Sequence, residues 1–308
     1  MSIMGVLAGA SGPTAIAEWA QSKQEFLLRT LDLPNGLPRK DVFRRVLALV
    51  NPAAFQACFV GWLGTLRDAA AAATGVTQPV LPVDGRSLRR SHDHGHGLSA
   101  LHSVSIWASE FGLSLGQVAC AEKSNEITAI PELLKLVDIQ GSSITIDAIG
   151  TQKAIAAVIM ERDADYVLAL KDNQGTLHDE VIEYMDRHEE NDFSDITVRS
   201  HTTMEKGHGR EEIRSYFHMA VPRDLKGLEE WSGLRSIGKV ISVCQRDGKE
   251  TVETRYYISS LAVGVKRFAH AVRSHWSIEN SCHWSLDMTF REDEFRIRDK
   301  QMRENVAR

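Results

Sequence analysis

Cysteine is scarce and dispersed. Cys58, Cys120, Cys244 and Cys282 are the four in 308 residues, and no two stand in a C-x-x-C spacing. That pattern argues against a disulfide framework or a thiolate zinc site and fits reduced structural thiols in a cytosolic protein. No run of 18 apolar residues occurs, so no membrane span is expected. The opening MSIMGVLAGASG has a faintly signal-like texture but lacks a basic n-region. The P-loop, G-x-S-x-G and Rossmann glycine fingerprints are all missing, which removes three large enzyme classes. Net positive charge is missing too. At −5 the chain is unsuited to coating nucleic acid indiscriminately, although local basic patches could still hold phosphates. The expectation is a soluble, cytoplasmic protein with no membrane partner.

What is present is ordinary globular material, 43% hydrophobic and 25% charged, with length for about two domains. Residues 1–75 read as helical. In LPRKDVFRRVLALV the apolar Val42, Phe43, Val46, Leu47 and Val50 share one helix face. Asn51-Pro52 breaks that helix, and an alanine tract carries the next one to a boundary at Thr74-Gly75. Arg39, Lys40, Arg44 and Arg45 either touch DNA or a partner subunit, or form the wet side of a helix.

From residue 79 the texture changes. PVLPVDG, HSVSIWAS and LSLGQVACAE read as three strands, and EITAIPELLKLVDI as a helix interrupted early by Pro131. SSITIDA is a fourth strand, TQKAIAAVIMERDA a helix, YVLALKDN a fifth strand and LHDEVIEYMDRHEEN a helix. Three antiparallel strands feeding β-α-β units give a mixed α/β sheet, an order that matches the ribonuclease-H-like fold. About 196–260 alternates as strands with glycine turns and reads as a β-rich insertion, after which a helical pattern returns.

Three carboxylates stand out in this frame: Asp84 and Asp147, each ending an apolar strand, and Glu279 in the late helix. An acid at the end of a buried strand is costly unless paired, hydrogen-bonded or metal-bound. Converging from strand, strand and helix, the three could hold divalent cations, and a pair of such ions clamps the attacking and leaving oxygens of a phosphodiester. The plainer alternatives are a turn at Asp84-Gly85 and, for the stripe His275, Glu279, His283 and Asp287, the solvated face of an amphipathic helix backed by Trp276, Ile278, Trp284 and Leu286.

At these motifs the chain resembles DDE-type insertion-sequence transposases of the ISAs-one group, the H-repeat-associated family. VDGRSLR, KSNEITAIPELL, TIDAIGTQ, ADYVLALKDNQ, EKGHGREEIRSY, YYISSL and HWSIENSCHWSLDMTFREDEFRIR carry the likeness, in order, over most of 79–298. The resemblance implies an N-terminal helical associated domain over 1–75. It also implies a ribonuclease-H-like catalytic domain over 79–308, with its β-rich insertion before the last catalytic helix. It further implies Asp84, Asp147 and Glu279 as catalytic and metal-holding residues, Mg2+ as cofactor with Mn2+ able to substitute, and DNA as partner: the terminal inverted repeats and target DNA, brought together by a homo-oligomer. Broader relatives add a tyrosine, an arginine and a lysine on the glutamate helix, and the matching positions here are Val272, His275 and Leu286. The chain closes on DKQMRENVAR without a C-cap signal, which reads as a truncated helix. A truncated, inactive DNA-binding remnant is therefore the alternative.

Candidate DNA contacts are Arg86, Lys171, Lys206, His208, Arg210, His275 and His283. Lys206-Gly207-His208-Gly209-Arg210 lets backbone approach a phosphate, or is simply a glycine-built hairpin turn. Lys171, Asn173 and Gln174 suit a phosphate or a polar loop, and Arg86, Arg89 and Arg90 suit a DNA backbone or water. His92-Asp93-His94-Gly95-His96 resembles a zinc hydrolase element, but no further histidine ligands support it.

Overall fold

A computed structural model describes all residues except 93, 94, 96, 98, 121–125, 208, 295, 296, 298, 307 and 308, and the side chain of 300. Among the described residues nine strands form one sheet. They are β1 (Val80–Leu88), β2 (Leu101–Ala108), β3 (Leu113–Cys120), β4 (Ser143–Ile146), β5 (Asp165–Leu170), β6 (Val198–Gly207), β7 (Arg210–Ala220), β8 (Ser236–Arg246) and β9 (Lys249–Ser259). Their spatial order is β3-β2-β1-β4-β5-β9-β8-β7-β6. The pairs β1–β4 and β4–β5 are parallel, and every other pair is antiparallel. The segment expected as an insertion is thus a four-stranded meander joined to the edge of β5.

The central strands are buried on both faces, so they read as continuous apolar runs: all four residues of β4 and the first four of β1 are buried. The meander strand β6 alternates because one face meets water. Helices α6 (Glu126–Leu136), α7 (Lys153–Glu161) and α8 (Gly175–Glu189) cover one face, contributing Leu133, Ile159 and Val181 to a core with Ile144 and Leu168. Helix α6 runs on through Pro131, because Ala129, Ile130, Leu133 and Leu134 are all buried and hold it against the sheet.

Helix α9 (Val265–Ser277) covers the opposite face through Phe268, Ala271 and Val272. Its start is fixed by a buried imidazole. His218 accepts from the Gly264 N–H through Nδ1 (3.0 Å), meets Ser236 Oγ through Nε2 (2.8 Å) and stacks on Phe268 at 4.7 Å. Burial pushes His218 down to about 4, so the ring is neutral.

The N-terminal helices are α1 (Ser2–Leu7), α2 (Pro13–Ser22), α3 (Gln24–Thr30), α4 (Lys40–Leu49) and α5 (Pro52–Thr74), and α1 to α4 gather around Ile16, Ala20, Leu27 and Phe43. The Asn51-Pro52 break works as a cap. Asn51 Oδ1 accepts from the Ala53 and Ala54 N–H groups at 2.9 and 3.1 Å, Pro52 opens α5, and Gly75 closes it at φ +73°. The final helix, α10 (Lys300–Val306), returns to α4: Asn305 Nδ2 donates to the Leu47 and Val50 carbonyls, and Gln301 Nε2 also donates to Val50. No single helix among the described residues is long and apolar enough to cross a membrane; α4 and α5 meet that test only as a pair bent by 90°.

Gly238 on β8 is the position where the seat of α9 is tightest. A Cβ there would stand inside the Phe268 ring. Gly238→Ala should cost about 1–3 kcal/mol, measured as a lower urea midpoint with an unchanged m-value.

Candidate active site

Strand pairing sets the site. β1 runs parallel to β4 with Val83 opposite Ile146, so Asp84 and Asp147 follow on neighbouring strands. β4 ends there, while β1 continues beside β2 alone, with Asp84 opposite Ser105. Beyond Val83, β1 has lost one neighbour, and the segment after α9 comes in beside it.

That segment is not a regular helix. After Ser277 the turns widen to i→i+5 hydrogen bonding across Ile278–His283 and Ser285–Thr289. In an α-helix, residues four apart drift about 40° per step. Wider turns rotate less per residue and oppose that drift, and such segments occur frequently at functional sites. Three members of the stripe, His275, His283 and Asp287, accordingly meet the sheet, while Glu279 between them stays exposed. His275 Nδ1 lies 3.0 Å from Thr145 Oγ1 on β4, His283 Nδ1 3.5 Å from Asp84 Oδ2, and Asp287 Oδ1 2.5 Å from the Arg86 guanidinium. Trp284, expected on the apolar side, is 57% exposed. The change of helical pitch is the reason.

The carboxylates feel one another. Burial pushes Asp84 up to about 7, with Asp147, Glu279 and Glu126 adding to the rise and a Gly85 backbone hydrogen bond opposing it. Burial and Asp147 raise Glu279 as well, while the Arg255 guanidinium draws it back. His275 and His283 are both pushed down to about 4, chiefly by burial. Both imidazoles are therefore neutral near pH 7, each with one N–H donor rather than a charge to offer.

Asp147 and Glu279 line a cavity of about 460 Å³ at the carboxyl ends of β4 and β5, together with Lys171, Arg255, His275 and Trp276. Lys171 is exposed there, as its position just past β5 suggested. Beneath Asp84 lies a second polar group: His102 Nε2 is 2.6 Å from buried Glu126 Oε1, and its Nδ1 is 2.7 Å from Ser87 Oγ. Gly85 has no side chain because Glu126 and His102 fill that space. The sequence reading missed Glu126, His102 and Arg255. Only Arg255 had a local signal, since Glu253 two residues earlier falls on the same strand face.

Arg86 requires a correction. Its side chain is 8% exposed and is held by Glu292 Oε2 at 2.7 Å as well as by Asp287. It ties the strand of Asp84 to the segment that follows Glu279 and is not offered to DNA. Lys206 and Arg210 lie at the β6–β7 hairpin end, beside Glu211 and Glu212. Arg210 also lines a cavity of about 250 Å³ that reaches Glu279. His208 lies outside the described residues, as do Asp93, His94 and His96 of the zinc-like element and Lys123, Ser124 and Asn125 of the quoted motif.

Among the described residues no three His, Cys, Asp or Glu side chains are gathered as an assembled metal shell. The donor chemistry still suits a hard divalent cation. Asp84, Asp147 and Glu279 offer carboxylate oxygens from three elements, and each raises or is raised by another, a repulsion that a cation would relieve.

Comparison with known proteins adds the family. A model described as Transposase DDE domain matches residues 76–307, and one described as DDE_Tnp_1-associated matches 1–63. YncI of Escherichia coli O157:H7, named as a transposase, is 39% identical over 97% of this chain and 75% of its own. YhhI of Escherichia coli K12, named as H repeat-associated, is 37% identical over 97% and 78%. A protein in the dhlA 3′ region of Xanthobacter autotrophicus is 39% identical over 84% and 85%. Among solved structures, piggyBac transposase in a synaptic complex with hairpin DNA aligns at TM-score 0.35 and 10% identity, over 75% of this chain and 52% of that one, a likeness too slight to bear on the fold.

Folded Asp84 keeps its proton to about pH 7, whereas an ordinary aspartate loses it near 3.8. The folded state binds more protons across that window, so the contribution of Asp84 to stability falls as pH rises through it. In metal-free buffer, wild-type stability relative to Asp84→Asn should decline from pH 4 to pH 8, by on the order of a few kcal/mol. Adding Mg2+ at pH 8 should raise the melting temperature of the wild type and leave Asp84→Asn nearly unmoved.

Proposed function

The chain belongs to the DDE-domain transposase family, and from that membership we propose that it cuts and rejoins DNA in the transposition of a bacterial insertion sequence. The reading assigns Asp84, Asp147 and Glu279 as the catalytic set and the bulk of 79–308 as a ribonuclease-H-like catalytic domain. In support, β3-β2-β1-β4-β5 forms a mixed sheet with one acid midway along β1, one just past the end of β4 and a third in the wide-turned segment that follows α9. The observation that carries the proposal is electrostatic: Asp84, raised first by burial, is raised further by Asp147 and Glu279, which come from two other elements.

Mg2+ or Mn2+ held by these carboxylates would supply charge for the oxygens entering and leaving the phosphorus and would acidify the attacking hydroxyl. The residues do the rest. Asp84 would hold such an ion as the carboxylate, its proton passing to solvent, with His283 at 3.5 Å as a neutral neighbour. Lys171 faces the same cavity as Asp147 and Glu279, where a scissile phosphate would lie. Arg86, by gripping Asp287 and Glu292, holds β1 and the glutamate segment in one relation. The substrates are the element's terminal inverted repeats and target DNA, synapsed in the cytoplasm by a homo-oligomer, with the N-terminal helices contributing contacts to DNA or to a second subunit.

A second reading, a DNA-binding product without chemistry, is favoured by Val272, His275 and Leu286 standing where broader relatives carry a tyrosine and two cations. A nicking assay on duplex DNA carrying the element's ends separates the two. Wild type should nick only with Mg2+ or Mn2+, and Asp84→Asn, Asp147→Asn and Glu279→Gln should each lose on the order of 10³-fold or more in rate. Undiminished nicking by any of these variants removes that residue from the set. Binding by wild type with no nicking under either metal supports the second reading.

A further inference from the structure

The glutamate helix brings no arginine or lysine to the cavity that Glu279 shares with Asp147. Val272 is buried, His275 is neutral, and Trp276 is aromatic. Among the described residues that line this cavity, the cationic ones are Lys171, past β5, and Arg255, on β9. Arg255 is unusually well placed. Its guanidinium lies over the Trp276 ring at 4.7 Å, three residues before Glu279. Glu253 accepts from its Nε at 2.8 Å and from its Nη2 at 3.1 Å, which engages two of five N–H donors. A planar ion stacked on one side and gripped along one edge keeps a single orientation, so little rotamer entropy remains to be lost when an anion arrives.

Arg255 also stands between two cavities. It lines the one holding Asp147, Glu279 and Lys171, and the neighbouring one of about 250 Å³ that holds Arg210, Arg214 and Arg273. The other arginines of that second cavity are matched by acids: Arg273 by Glu205 at 2.9 and 3.0 Å, Arg214 by Glu212 and Glu205, and Arg210 by Glu212. Arg255 is matched by Glu253 in the same way, and what sets it apart is place: Arg210, Arg214 and Arg273 do not line the cavity shared by Asp147 and Glu279. Arg255, beside Glu279, is the guanidinium that borders the acid-lined space.

We infer that Arg255, stacked on Trp276 and oriented by Glu253, holds a DNA backbone phosphate next to Glu279, so that β9 supplies a cation to the cavity shared by Asp147 and Glu279. The inference rests on the transposase reading and deepens it. The guanidinium fork matches two phosphate oxygens, and its charge offsets the acids that would otherwise repel the strand. Trp276 supports the guanidinium plane, and Glu253 sets its direction; both act as positioning residues.

The test is a salt titration of binding to a short fluorescein-labelled DNA duplex in metal-free buffer, which reads phosphate contacts without needing catalysis. Removing one phosphate contact lowers the slope of log K against log salt by about 0.7–0.9. Arg255→Ala should show that loss, Arg255→Lys should keep most of the slope while binding more weakly, and Arg235→Ala, at an exposed residue just before β8 that lines neither cavity, should match wild type. Should Arg255→Ala fail to fold by its thermal melt, Arg255→Gln removes the charge at nearly the same length and is read in its place. A wild-type slope in the folded neutral variant overturns the inference and leaves the transposase reading standing. A wild type whose binding shows no salt dependence overturns both.

Discussion

Parallel pairing of β1 with β4 is the constraint on which the site depends. With Val83 opposite Ile146, two aspartates fall side by side where the strands stop being buried, and a shift of one residue would send one of them into the apolar core on the other face. The cost of this arrangement is visible in Asp84, whose carboxyl ionises only near neutrality. The fold tolerates that cost because the strands leading to it are buried along their length and cannot easily slip.

Around this pair the molecule works to fix the third acid. Helix α9 is seated by Phe268 in the space left by Gly238, its start is held by His218, and Arg273 is gripped by Glu205 on β6. Beyond Glu279, Arg86 clamps Asp287 and Glu292 onto β1. Glu292, though paired with Arg86, is still pushed up to about 7 by burial, so the clamp is drawn from expensive groups. Breaking one partner would leave the others buried and uncompensated. The relation between Asp84 and the segment after Glu279 is thereby made stiff.

Much of this was legible in the residues. Apolar runs bounded by turn signals located β1 to β5 and their helices, because strands buried on both faces carry that pattern plainly, and the Asn51-Pro52 and Thr74-Gly75 punctuation located α5 by cap chemistry. What could not be read was long-range pairing. Nothing local says that β9 joins β5, that Arg86 finds Glu292 across 206 residues, or that Glu126 meets His102 under Gly85. A charged residue looks the same in sequence whether it faces water or a buried partner, so Arg86 carries no local sign of Asp287 and Glu292. Helical pitch is equally silent: the polar stripe is visible, but not the widening that brings His283 and Asp287 to β1.

That widening has a consequence for comparing this chain with other proteins. A helix that spends extra residues per turn breaks the equivalence between counting along the chain and position in space. Upstream of Ser277, where turns are regular, a residue three or four before the glutamate occupies the same place in any relative with an ordinary helix. Downstream, the count runs ahead of the geometry, and Leu286, seven after Glu279, no longer stands where a seventh residue would in a straight helix. An alignment drawn without a gap there pairs letters that do not share a location.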